Sequence, residues 1–83
     1  MPGLKKRSVA IGNHSTSVAL EPEFWSVLDE LAVAQKMSLR ALLIHIDATR
    51  GESLLASACR LQALRFEMAK AKLPRRHAGS EAR

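Results

Sequence analysis

HSTSVALEPEFW, residues 14–25, changes its periodicity at Glu21. Thr16, Val18 and Leu20 alternate with Ser15, Ser17 and Ala19, a period of two that marks a half-buried strand. From Glu21 the signals are those of a helix start. Pro22 suits a first turn, where its missing N–H costs nothing, and Glu21 and Glu23 suit the positive end of the helix dipole. A polar, serine-rich strand therefore runs directly into a helix.

Upstream, Val9 and Ile11 alternate with Ser8 and Ala10. Gly12-Asn13 separates the two alternating runs, either as a two-residue hairpin turn or as an interruption in one long arm. Downstream, Phe24, Val27, Leu28, Leu31 and Ala32 recur at helical spacing and predict helix 1 from about Pro22 to Gln35. Ser38 is a good N-cap for helix 2, whose stripe is Leu39, Leu42, Leu43 and Ile46 and which ends near Thr49 or Arg50, before Gly51. Ser53 is expected to cap helix 3, with Leu54, Leu55, Ala58, Leu61, Leu64 and Met68 on one side and Arg60, Arg65 and Glu67 largely on the other, until Pro74 stops it. The fold class is mainly α with a short β-ribbon: one or two strands at about 7–20, then three helices. Residues 1–5 and 74–83 are predicted to be disordered basic tails around a domain at 6–73.

A chain of 83 residues is one domain, and a monomer of this size buries too little surface to be comfortably stable unaided. The single Cys59 excludes an intramolecular disulfide, and no second cysteine or paired histidines stand at zinc-ligand spacing. Oligomerisation is the remaining means. The open edge of a lone strand gives the same answer, because antiparallel pairing with its own copy across a two-fold axis would close it. No signal-peptide pattern and no apolar run of about 18 residues is present, so a cytoplasmic protein away from membranes is expected.

The net charge of +5 is unevenly placed. Residues 1–20 carry Lys5, Lys6 and Arg7 with no acid; residues 21–52 sum to −3, and residues 53–83 to +5. The strand region and the C-terminal third are basic while the first helices are acidic, as a chain meeting a polyanion through its ends would be.

KRSVAIGNHSTSVALEPEFWSVLDELAVAQKMSLRALLIHID, residues 6–47, resembles the ribbon-helix-helix family of bacterial DNA-binding proteins, which includes repressors and antitoxins. The resemblance rests on a K-R-S-V strand, a H-x-T-S-V-x-L-E strand, an E-F-W helix opening and a M-S-L second helix, in this order. It implies a homodimer whose antiparallel β-ribbon enters the DNA major groove, a groove wide enough for two strands. It further implies a helix N-terminus gripping a phosphate, placed at Ser53 and Leu54 of helix 3. With Thr16, Val18 and Leu20 facing the core, the groove-facing positions are Ser15, Ser17 and Ala19. Family members commonly carry Arg, Lys, Asn or Gln there, so base reading through this strand is expected to be weak to moderate. Affinity would come from phosphate contacts by Lys5, Lys6 and Arg7, with His14, Arg75 and Arg76 as further candidates.

Other residues read more plainly. His45 is expected to be a satisfied, partly buried histidine, Cys59 a small core residue, and Trp25 a packing residue at the dimer surface beside a core-facing Phe24. No paired carboxylates, metal-ligand set, cofactor motif or activated nucleophile is present, so neither an enzyme nor a cofactor is expected. The alternative to a DNA-binding regulator is a dimeric interaction module that has lost specific DNA reading and holds a protein partner.

Overall fold

A computed structural model describes residues 3–72. The predicted C-terminal tail, the stop at Pro74, and Arg75 and Arg76 lie outside the described residues. Two strands, β1 (Lys5–Ile11) and β2 (His14–Leu20), precede three helices, α1 (Pro22–Ala34), α2 (Leu39–Thr49) and α3 (Leu55–Lys72).

Gly12-Asn13 is a hairpin turn. β1 and β2 pair antiparallel, with Val9 opposite Thr16, Arg7 opposite Val18 and Lys5 opposite Leu20. Gly12 has φ +60°, and a positive φ at the first of two turn residues is the hairpin pattern that calls for glycine there. The pairing expected from a second copy is thus supplied within the chain.

Helix ends follow local chemistry. The Ser38 side chain accepts from the Ala41 N–H at 3.0 Å, a standard N-cap. Gly51, at φ +63°, takes the left-handed position after α2. α1 ends in the same way without a glycine: Lys36 has φ 60°, the Met37 N–H donates to the Ala32 carbonyl, and the Lys36 N–H donates to the Val33 carbonyl, both at 3.0 Å. α3 departs from expectation, because its first helical residue is Leu55 and the Leu54 carbonyl accepts from Ala58. Ser53 stands one position too early to cap it.

The core joins Val9, Val18 and Leu20 of the hairpin to Trp25, Leu28, Leu31 and Ala32 of α1, Leu42, Leu43 and Ile46 of α2, and Ala58, Cys59 and Ala63 of α3. Three expectations need correcting. Trp25 is only 2% exposed and belongs to the core of the single chain, while Phe24 is half-buried; Leu28, Leu31 and Ala32 are buried as expected. His45 is exposed rather than partly buried. On α3 Ala58 is buried and Leu55 packs against the core as expected, but the other fully buried residues are the small Cys59 and Ala63, and Leu54, Leu61, Leu64 and Met68 face outward. Small side chains win because they let the helix axis approach the rest of the domain closely, whereas leucines there would overpack it.

Ion pairs tie α3 to the rest of the fold. Arg60 donates to Glu21 at the strand–helix joint at 2.9 Å, and Lys70 pairs with Glu30 of α1 at 2.8 Å. The Glu21 carboxyl is held below the usual carboxylate range by its own backbone N–H and then by Arg60. Solvent screens exposed pairs of this kind, so they orient α3 more than they hold it.

Cys59 is fully buried, and burial pushes its thiol up to about 11 against the opposing influence of Arg60. A thiol-specific reagent at pH 8 is therefore expected to leave the native chain unmodified and to titrate Cys59 once denaturant is added. Prompt reaction of the native chain would contradict the packing of α3.

Candidate functional site

Residues directly opposite in an antiparallel pair point to the same side of the sheet, so the register sorts every hairpin side chain. Lys5, Arg7, Val9 and Ile11 share the core-side face with His14, Thr16, Val18 and Leu20. The outer face collects Lys6, Ser8 and Ala10 from β1 with Ser15, Ser17 and Ala19 from β2. Ser8 and Ser17 lie across from each other, their hydroxyls 3.3 Å apart, and Ala19 is half-buried beside exposed neighbours. This face has one cation, three hydroxyl side chains, two methyl groups and no carboxylate.

The outer face stays presentable because the inner one is firmly held. The Trp25 indole N–H donates to the Lys5 carbonyl at 2.8 Å. The Arg7 guanidinium stacks over the Trp25 ring, 4.6 Å from its centroid, and reaches Asp29 at 3.7 Å. A buried indole on α1 thus fixes the start of β1 by a hydrogen bond and a cation–π contact, the latter contributing about 0.5–1 kcal/mol.

Of the residues expected to contact DNA, Lys6, Ser15, Ser17 and Ala19 come together on the outer face. Lys5 is exposed at the open end of the ribbon and His14 beside the turn, both on the core-side face. Arg7, by contrast, is engaged by Trp25 and Asp29. Ser53 is apart from this group: it lines a cleft between α2 and α3 with Thr49, Arg50, Gln62 and Arg65. Its N–H already donates to the Arg50 carbonyl, and its own carbonyl accepts from the Arg50 guanidinium.

Sequence reasoning missed Ser8 and Ala10, whose side of the ribbon follows only once β1 is known to pair with β2. It also missed Arg40. This exposed residue in the first turn of α2 borders a cleft of about 250 Å³ with Arg7, Ser8, Val9 and Ala10 of β1. Helix geometry leaves the Leu39 and Arg40 amides without intrahelical acceptors, while Ser38 satisfies Ala41. A free-ended helix and a guanidinium therefore stand against the edge of the ribbon. The alternation in KRSVAI and the Ser38 cap were the available signals; adjacency was not among them.

Among the described residues, no group of three His, Cys, Asp or Glu side chains is placed to hold a metal ion, and no helix is long and apolar enough to cross a membrane.

Comparison with known proteins agrees with the geometry. A family model described as a ribbon-helix-helix domain matches residues 4–66. The chain is also similar to the solved structure of an uncharacterized protein from Bordetella pertussis Tohama I, at 29% identity and a TM-score of 0.72, over 92% of this chain and 66% of that one. It thus spans just under two thirds of that protein's length. No curated protein matches by sequence.

Proposed function

Because this chain belongs to the ribbon-helix-helix domain family, a non-enzymatic DNA-binding fold, we propose that it binds duplex DNA as a dimer and acts as a cytoplasmic transcriptional regulator, laying the outer face of its hairpin in the major groove. The observation that carries this reading is the composition of that face: Lys6, Ser8, Ala10, Ser15, Ser17 and Ala19, with no carboxylate to repel phosphate. Each hairpin is a two-stranded ribbon, and strands spaced about 4.8 Å apart fit a groove about 12 Å wide. Lys5 and Lys6 supply phosphate contacts at the ribbon, and Arg40 with the α2 amides supplies an anion site at its edge, a better-placed clamp than Ser53.

Base reading on this face is weak. Serine hydroxyls serve any base, alanine offers a methyl only to thymine, and Lys6 is the single side chain there able to make the guanine contacts that contribute about 1–3 kcal/mol of discrimination each. Binding is accordingly dominated by phosphates and falls steeply with salt. Fluorescence titration of a labelled duplex across a salt series is expected to give a straight line of log affinity against log salt, with a slope of about −0.9 for each phosphate contact. No binding at about 50 mM salt would overturn the proposal, because the phosphate contribution is largest there.

The same bland face favours a second reading, in which the fold is kept as a dimeric module for a protein partner, as in an antitoxin. Selection from a random duplex pool separates the two. A recovered palindrome supports regulation at defined sites, and an unenriched pool supports the interaction module.

A further inference from the structure

The cleft between α2 and α3 takes no part in the ribbon. Its volume is about 180 Å³, its polar lining is Thr49, Arg50, Ser53, Gln62 and Arg65, and no carboxylate borders it. Ile46 and Leu61 give it an apolar wall. Arg50 is fixed within the chain: its Nε donates to Asp47 Oδ1 at 2.7 Å, one terminal nitrogen donates to the Ser53 carbonyl, and the side chain is 33% exposed. The other terminal nitrogen, Nη2, makes no hydrogen bond among the described residues. Asp47 neutralises Arg50 without lining the cleft, so the charge there is set by Arg65. Arg65 is exposed and makes no ion pair among the described residues. The Thr49 hydroxyl is spent on the His45 carbonyl at 3.0 Å, whereas the Ser53 hydroxyl and the half-buried Gln62 amide donate to no group among the described residues.

We propose that this cleft binds a small phosphate monoester. Donors on Arg50, Ser53, Gln62 and Arg65 border one space, and a phosphoryl group offers three strong acceptor oxygens to meet them. Guanidinium N–H pairs match the spacing of phosphate oxygens, and Arg50 is already held in place to present its free nitrogen. Ile46 and Leu61 then face the carbon part of the ester, which a bare inorganic ion would leave uncovered. Arg40 and Thr49 lie about 14 Å apart along α2, so the cleft is separate from the anion site at the ribbon edge. The proposal does not rest on the DNA reading.

Titration of the isotope-labelled chain with glycerol phosphate, at constant ionic strength in sodium chloride, is expected to give saturable amide shifts centred on Arg50, Ser53, Gln62 and Arg65. Arg65→Gln is expected to weaken binding by about tenfold or more, the loss that follows removal of one charge-assisted hydrogen bond. Its fold is expected to survive, because Arg65 is exposed and makes no ion pair among the described residues, and helical circular dichroism checks this. Should the variant not fold, the shift map of the native chain decides alone. Shifts that never saturate, that centre on Lys5, Lys6 and Arg40, or that keep native affinity in Arg65→Gln overturn the proposal. A loss of duplex affinity in Arg65→Gln without saturable glycerol phosphate binding reassigns the cleft to the DNA backbone and overturns it as well. Because the titration contains no DNA, failure of the native chain to bind a duplex removes only the proposed function.

Discussion

Trp25→Ala lowers the unfolding free energy by about 3–5 kcal/mol, the range for deleting a large buried aromatic side chain. Trp25 is 2% exposed and contacts more than the helices beside it. Its ring carries the Arg7 guanidinium and its N–H satisfies the Lys5 carbonyl, so its removal leaves a cavity and releases the start of β1 at once. Small domains are stable by about 5–15 kcal/mol in all, so the variant is expected to be partly unfolded at ambient temperature. Equilibrium denaturation in urea measures the loss. Trp25→Phe keeps most of the packing but leaves the Lys5 carbonyl without its donor, a loss of about 1–3 kcal/mol. A change below about 1 kcal/mol in Trp25→Ala would show that the indole is not a core residue.

The Lys5→Ala, Lys6→Ala double variant is expected to lose about four-thousandfold in DNA affinity at about 0.1 M salt. A dimer presents four of these lysines, and each phosphate contact contributes about 0.9 to the salt slope, hence nearly a decade of affinity at that ionic strength. The slope itself should fall by about 3–4. Folding should be untouched, since both side chains are exposed and the bond from Trp25 uses the Lys5 backbone, which alanine retains. Arg7 is left in place for the opposite reason: it is tied to Trp25 and Asp29, and its removal would mix a stability effect into the binding measurement. An affinity within about threefold of the native protein would show that the ribbon lysines do not meet phosphate. Retained binding to a protein partner alongside lost DNA binding would separate the two functional readings.

How much was legible depended on how local each feature is. The hairpin turn was one of two open readings of Gly12-Asn13, and the structure selects it. The cap at Ser38 and the stop at Gly51 were readable because each is satisfied by bonds within a few residues. The inward side of α3 was not. Ala58 and Cys59 are buried as expected, but a rule that sends the largest residues inward also chose Leu61, Leu64 and Met68, whereas close packing chose Ala63. The contacts of Arg7 with Trp25 and Asp29 were not legible either, since nothing near it in sequence reveals an indole on α1.

The sequence by itself determined the alternation of the strands, the order and approximate extent of the helices, and the outward direction of Ser15, Ser17 and Ala19. These follow from backbone periods of about 2 and 3.6, which any short segment carries on its own. Only the tertiary structure decided that β1 pairs with β2, that Lys6, Ser8 and Ala10 join the same face, that Arg40 stands at its edge, and that α3 turns Leu61 and Leu64 outward. Those outcomes depend on the close packing of distant segments, where shape and volume rather than hydrophobicity choose the partner.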